Sequence, residues 1–87
     1  MKQLSAEEAK KYYESERWKD LTPAQLAKFQ IQQPLLTVPW NVFQKAVSDV
    51  LERPVLTHEF SEPEILVQEL RTKDWPEITD QLIFGEE

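Results

Sequence analysis

The chain lacks several residue types on which common protein chemistry depends. Its 87 residues include no cysteine, one histidine and one glycine. Without cysteine there is no disulfide, no thiolate metal site and no cysteine nucleophile, and small secreted domains usually need such cross-links. A glycine-rich phosphate loop is excluded too, because Gly85 is the sole glycine. These absences predict a reducing compartment and a protein without a cofactor.

Long apolar stretches are also missing. The longest uninterrupted apolar runs have three residues, as in Ile65-Leu66-Val67, whereas a membrane-spanning helix needs about 20. The first residues, Met1-Lys2-Gln3-Leu4-Ser5, do not have the apolar core of a signal peptide. The sequence therefore predicts a cytoplasmic protein that does not enter a membrane.

Charge is distributed unevenly along the chain. Residues 1–60 carry eight basic and eight acidic side chains, whereas residues 61–87 carry two basic and eight acidic ones. The formal net charge of −6 therefore lies wholly in the last third. An acidic region suits a basic protein partner and disfavours nucleic acid, although it can also serve solubility alone.

Prolines and capping residues divide the chain into helices. Ser5-Ala-Glu-Glu8 and Thr22-Pro-Ala-Gln25 have the form of capping boxes, and so does Ser61-Glu-Pro-Glu64, with Phe60 and Ile65 as a hydrophobic staple. Asp74-Trp75-Pro76-Glu77 is a fourth helix start, and Gly85 can end the last helix. The predicted helices span residues 6–18, 23–32, 40–52, 62–72 and 75–83.

These elements predict one all-α domain over residues 1–87, a compact bundle of four to five short helices. An extended connector is expected near residues 55–60, attached to the core by Val55, Leu56 and Phe60. The apolar residues recur at helical spacing. The predicted core includes Ala9, Tyr12, Tyr13, Leu26, Phe29, Trp40, Phe43, Val47, Val50, Leu51, Ile65, Leu66, Leu70, Ile78, Leu82 and Ile83.

Catalytic and metal sites find little support. A serine hydrolase would have to use His58, the sole histidine, and no serine lies in a G-x-S-x-G elbow. A partly buried or backbone-bonded structural role for His58 is the better interpretation. One histidine without cysteine cannot make a structural zinc site, and no calcium-loop pattern occurs. The predicted third helix has too little positive charge to bind a phosphate backbone. We therefore expect no metal, no direct nucleic-acid binding and no enzyme activity.

One stretch resembles a known group of proteins. It is Arg53-Pro-Val-Leu-Thr-His-Glu-Phe60, accompanied by Trp18-Lys-Asp-Leu-Thr22, Phe29-Gln30 and Pro39-Trp-Asn-Val-Phe43. With these segments the chain resembles a family of small bacteriophage and prophage proteins that has no assigned activity. The resemblance covers roughly residues 6–60 and implies a phage setting, hence the host cytoplasm. The family pattern has glycine where Glu52 stands, so Pro54 rather than a left-handed cap is expected to end the third helix.

The leading hypothesis is a small acidic protein-binding module, in its most specific form a phage-encoded inhibitor of a host defence or nucleic-acid-handling protein. An acidic surface can occupy the basic groove of such a partner. Two alternatives stay open: an assembly protein that self-associates, and a minimal hydrolase around His58. The residues predicted to contact the partner are Glu62, Glu64, Glu69, Asp74, Trp75, Glu77 and Asp80.

Overall fold

Helices account for all of the regular structure in residues 3–85, the part of the chain that the computed structural model describes. Over this range the all-α prediction is confirmed. None of the helices there is both long and apolar enough to cross a bilayer. The α-helices are α1 (Ala6–Ser15), α2 (Pro23–Ile31), α3 (Trp40–Leu51), α4 (Pro63–Arg71) and α5 (Asp80–Phe84), and two 3-10 helices span Arg17–Asp20 and Thr57–Ser61.

The first two helix starts form as predicted. The Ser5 hydroxyl accepts from the Glu8 N–H at 3.3 Å, while the Glu8 carboxylate accepts from the Ser5 N–H at 3.1 Å. Thr22 and Gln25 repeat this reciprocal pair at α2, where Pro23 occupies the first turn. Both capping boxes pair N–H groups that the helix itself leaves without an acceptor.

The core lies between α2 and α3, which pack most extensively on each other, and α4 covers both. Phe29 and Val47 are completely buried there. The end of the chain returns to this core: the Tyr12 hydroxyl donates to the Ile83 carbonyl at 3.1 Å. The rings of Tyr12, Phe29 and Phe84 lie 5.1 to 5.9 Å apart, mostly edge to face. The helices thus close around one aromatic and aliphatic centre.

Two helix ends differ from the prediction. Instead of continuing to residue 18, α1 stops at Ser15, and Glu16 takes a left-handed conformation with φ of 59°. The turn that follows buries Trp18, whose indole N–H donates to the Tyr13 carbonyl at 3.0 Å. At the end of α3, Glu52 has φ of 56° and fills the left-handed cap position that the sequence appeared to lack. The expectation that Pro54 alone ends α3 is therefore wrong.

The connector near residues 55–60 is extended only at its start, where Leu56 has φ of −84° and ψ of 154°, and the chain is helical from Thr57. It forms the 3-10 helix Thr57–Ser61, and the Ser61 hydroxyl donates to the His58 carbonyl instead of capping α4. Glu62 takes the cap position without a side-chain cap bond. The predicted third capping box and the staple to Ile65 are therefore wrong, because the preceding 3-10 turn occupies Ser61 and leaves Ile65 exposed.

The last helix is shorter than predicted. Residues 74–79, called here the 74–79 segment, are irregular, and α5 begins only after Thr79, whose hydroxyl accepts from the Leu82 N–H at 3.2 Å. Pro76 disfavours the helical conformation at Trp75, which explains the failed start. Gly85 ends α5 at φ of 67°, as predicted. Five predicted core side chains are instead 37% to 57% exposed: Tyr13, Trp40, Leu56, Ile65 and Leu82.

Candidate partner-binding surface

Most carboxylates of the acidic third are free of partners. Within residues 3–85, the acidic side chains after residue 60 are exposed and form no ion pair, with the exception of Glu69. This set, called here the free acids, consists of Glu62, Glu64, Asp74, Glu77 and Asp80. Since no cation within residues 3–85 pairs with these exposed carboxylates, the free acids are open to a basic partner.

Glu69, by contrast, is held inside the molecule by Arg53. The guanidinium donates to Glu69 through Nε at 2.9 Å and Nη2 at 2.8 Å, and to Glu59 through Nη2 at 2.8 Å and Nη1 at 3.2 Å. Hydrogen bonds from Arg53 and from the Leu56 N–H lower the pKa of Glu59 to about 2. The bond from Arg53 lowers the pKa of Glu69 as well. One arginine therefore joins α3, the 57–61 turn and α4, and Glu69 has a structural role.

Trp75 is also engaged within the fold. Two cations lie over its half-buried ring. Lys28 Nζ is 4.9 Å and Arg71 Cζ is 5.4 Å from the ring centroid. The Lys28 ammonium also donates to the Pro76 carbonyl. Cations over an aromatic face are attracted by its quadrupole, so the predicted anchor residue holds the 74–79 segment against α2.

The free acids are spread around the molecule. Asp74 lines a depression of about 360 Å³ together with Glu52, whereas Asp80 lines one of about 260 Å³ beside Arg17. Pro63, which stands between Glu62 and Glu64, lines a third of about 300 Å³. These three depressions have no lining residue in common. Binding through the whole predicted set stays a prediction, but the set is not confined to one depression.

A feature that sequence reasoning missed lies in the loop of residues 33–39, called here the 33–39 loop. The buried Gln30 amide donates from Nε2 to the Leu35 carbonyl at 2.9 Å. Its Oε1 accepts from the Thr37 N–H at 2.7 Å and from the Thr37 hydroxyl at 2.6 Å. Thr37 and Val38 are 0% exposed, whereas Leu35 and Leu36 are 41% and 46% exposed. The buried Gln30 side chain thus fixes the loop in a conformation that exposes Leu35 and Leu36 to solvent.

The exposed leucines border a groove. It has a volume of about 300 Å³, and an aromatic cluster lies at its wall, with the Trp40 and Phe60 rings 4.8 Å apart and edge to face. Trp40 is 37% exposed. We call this site the apolar groove and define it by Pro34, Leu35, Leu36, Trp40, Phe60 and Pro63. The sequence signal was an apolar stretch between Pro34 and Pro39 that is too short for a helix.

His58 has no catalytic neighbour in the described range. Its side chain is exposed, so the expected partly buried role is wrong. The hydroxyls of Ser5, Ser15, Ser48 and Ser61 all bond to backbone groups and none of them to the imidazole. Residues 3–85 also contain no group of histidine and acidic side chains that could hold a metal ion.

Comparisons of this chain with protein-family models, with curated proteins and with solved structures found no match. The resemblance to phage proteins therefore stays a prediction. The stretch that carries it has a clear structural part: Arg53 and Glu59 form the ion pair described above, and Phe60 joins the aromatic cluster. Thr57 and His58 are exposed, and packing does not account for them.

Proposed function

We propose that this protein is a small protein-binding module that engages a basic surface of its partner through carboxylates of its last third. The observation that carries the proposal is the state of the free acids, which are exposed and have no ion-pair partner within residues 3–85. Among the carboxylates of the last third, Glu69 is the one paired within residues 3–85, where it joins Arg53. Unpaired ones attract a basic surface, speed the encounter and disfavour phosphate-bearing ligands.

The more specific form of the proposal is a phage-encoded inhibitor that covers a nucleic-acid-binding surface of a host protein. Its support is the resemblance at residues 53–60 together with the acidic last third. A protein that binds phosphates presents clustered lysine and arginine, and these are the groups that exposed carboxylates would contact. The partner is then a basic protein in the bacterial cytoplasm, not nucleic acid itself.

Matched charge reversals test this function. Three double variants are compared with the wild type: Glu62→Lys with Glu64→Lys, Asp74→Lys with Glu77→Lys, and the control Glu14→Lys with Asp20→Lys. Each pair changes the net charge equally, and Glu14 and Asp20 are exposed acids outside the last third. Circular dichroism establishes that each variant keeps its helices.

Each immobilised protein is exposed to bacterial lysate and eluted by increasing salt, and the bound proteins are identified by mass spectrometry. We expect a basic protein that elutes at high salt, is retained by the control and is lost from at least one variant of the last third. Equal retention by all variants, or the absence of any salt-sensitive protein, would contradict the function.

A further inference from the structure

The apolar groove combines exposed apolar side chains with a backbone that is fixed by buried hydrogen bonds. Its leucines are exposed, yet the loop that presents them is held by a buried amide. The buried amide stabilises the fold, and it also fixes the leucines before binding, so that less entropy is lost when a partner binds. The groove is therefore ready to receive an occupant.

The size of the groove limits what that occupant can be. Its volume of about 300 Å³ stands at the bottom of the range of small-molecule pockets, about 300–1,000 Å³. It can receive one or two side chains. The indole N–H of Trp40 donates to no described residue, so it can bond to a carbonyl of an incoming backbone. A short peptide segment fits these properties.

The charge beside the groove selects among peptide segments. Glu62 and Glu64 flank Pro63, a lining residue, and consecutive Cα atoms lie about 3.8 Å apart. Both are free acids, exposed and without an ion pair within residues 3–85. Lysine or arginine next to an apolar side chain would complement this edge. A second copy of the chain is disfavoured, since a two-fold interface would bring the same carboxylates of both copies to one contact.

We propose that the apolar groove is the docking site for a partner segment that presents a bulky apolar side chain next to lysine or arginine. This proposal rests on the proposed function and deepens it by naming the part of the surface and the partner chemistry. Of the free acids, it assigns the contact to Glu62 and Glu64. Trp40 replaces Trp75 as the aromatic anchor.

The test uses the full chain, isotope-labelled, and a short amphipathic helical peptide built from leucine and lysine. Two control peptides replace lysine by glutamate or leucine by serine. The indole N–H signal of Trp40 and the amides of Leu36 and Glu64 should move with the leucine–lysine peptide and with neither control. The indole signal of Trp75 should stay in place.

Variants then separate this proposal from the function on which it rests. Leu36→Ser should weaken peptide binding about tenfold, the effect of losing one buried apolar contact, and Leu82→Ser is the matched control, an exposed leucine outside the groove. Thermal unfolding shows that both variants fold. Unchanged binding by Leu36→Ser overturns the docking site. If salt-sensitive binding of a lysate protein is then lost in the Asp74 and Glu77 variant, the proposed function is supported, with its contact at those residues instead of the groove.

Two further outcomes overturn the docking site. Signals of the 33–39 loop that move with protein concentration alone, together with dimer in sedimentation, would show that a second copy fills the groove. Peptide shifts centred away from Trp40 would place the contact on another surface. If neither Leu36→Ser nor the Glu62 and Glu64 reversal changes peptide binding, the docking site fails, whereas the proposed function is decided by the lysate experiment.

Discussion

Two irregular segments of this protein, the 33–39 loop and the 74–79 segment, are tied to the same helix in different ways. Each contains a proline and each is held by one side chain of α2, Gln30 for the first and Lys28 for the second. Gln30 is buried and bonds to Thr37, which is completely buried, and to the Leu35 carbonyl. Lys28 is only partly buried, bonds the Pro76 carbonyl and lies over Trp75. Helix α2 thus holds the 33–39 loop through the neutral, buried Gln30 side chain and the 74–79 segment through the charged, partly exposed Lys28 side chain.

The difference shows how burial decides the energetic weight of a polar contact. A surface cation exchanges its partner for water at little cost, but a buried N–H that loses its acceptor has no replacement. The 33–39 loop should therefore be rigid, and the 74–79 segment should open more easily. This fits the functional proposals, because the rigid loop presents the apolar groove.

Among the contacts that hold the two segments, the largest effect is expected from the loss of Gln30 in Gln30→Leu. This change keeps the approximate shape but leaves the N–H and hydroxyl of Thr37 without an acceptor in a completely buried place. One buried donor left unpaired costs about 1–3 kcal/mol, so the free energy of unfolding should fall by roughly 2–3 kcal/mol. Urea unfolding followed by circular dichroism measures this difference.

Two variants check the cause. Gln68→Leu changes an exposed glutamine of α4 and should alter stability by less than about 0.5 kcal/mol. Adding Thr37→Val to Gln30→Leu removes the unpaired hydroxyl and should restore part of the loss. A loss of similar size in Gln68→Leu, or no recovery in the double variant, would mean that the buried hydrogen bonds are not responsible.

Arg53, Glu59 and Glu69, called here the Arg53 cluster, form a third contact, which is charged and only partly buried. Its side chains are only partly exposed, and the pKa of Glu59 is lowered from 4.5 to about 2. A lowered pKa in the folded state means that the unfolded chain binds protons more readily. The stabilisation is therefore fully present above pH 4.5 and is lost as the pH falls through about 2.

Arg53→Met should remove most of this pH dependence, because the Leu56 N–H remains as the smaller cause of the lowered pKa of Glu59. At neutral pH the variant should be less stable than the wild type, by less than the Gln30→Leu loss, because water reaches the cluster. The difference should shrink between pH 4.5 and about 2. Urea unfolding at a series of pH values measures it, with Lys45→Met as the control for a more exposed pair. A difference that is constant over this range would contradict the assignment.

Loss of the Lys28 contact with the 74–79 segment should have a smaller effect on stability. Lys28→Met removes one of the two cations over Trp75 and the bond to the Pro76 carbonyl. Exposed cation–π contacts contribute about 0.5–1 kcal/mol, so the loss of stability should stay below about 1 kcal/mol. The local consequence is more specific: Trp75 should become more accessible to acrylamide quenching in a variant whose other tryptophans are phenylalanine. Unchanged quenching would show that Arg71 alone holds the ring.

Whether a feature could be predicted depended mainly on how far apart in the sequence its interacting residues lie. Capping at Ser5 and Thr22 was predictable because it depends on residues three positions apart. The structural role of Glu69 was missed because its partner Arg53 lies 16 positions away in the sequence. The helix start at Trp75 failed for a local reason, since Pro76 disfavours the helical conformation there. The left-handed Glu52 shows a further limit, since a non-glycine cap is tolerated when the surrounding fold determines it.

The candidate site was predictable in its charge but not in its shape. Counting residues located the acidic third, and the structure leaves most of its described carboxylates exposed. The apolar groove escaped prediction because Leu35, Leu36 and Val38 look alike in sequence. What separates them is the Gln30 amide, whose bonds turn the loop so that only Val38 is buried.

The smallest effect on stability should come from Leu36→Ser, and its neighbour supplies the contrast. Val38→Ser removes a completely buried side chain and inserts a hydroxyl there, which should cost about 2–4 kcal/mol. Leu36 is 46% exposed, so its replacement should change the free energy of unfolding by less than about 0.5 kcal/mol. Urea unfolding of both variants measures the difference. A neutral Leu36→Ser would mean that the exposed leucine does not support the fold, and any loss of peptide binding in that variant then reports on the apolar groove itself. A cost close to that of Val38→Ser would instead make Leu36 a core residue and remove the reason for calling the groove a surface built for a partner.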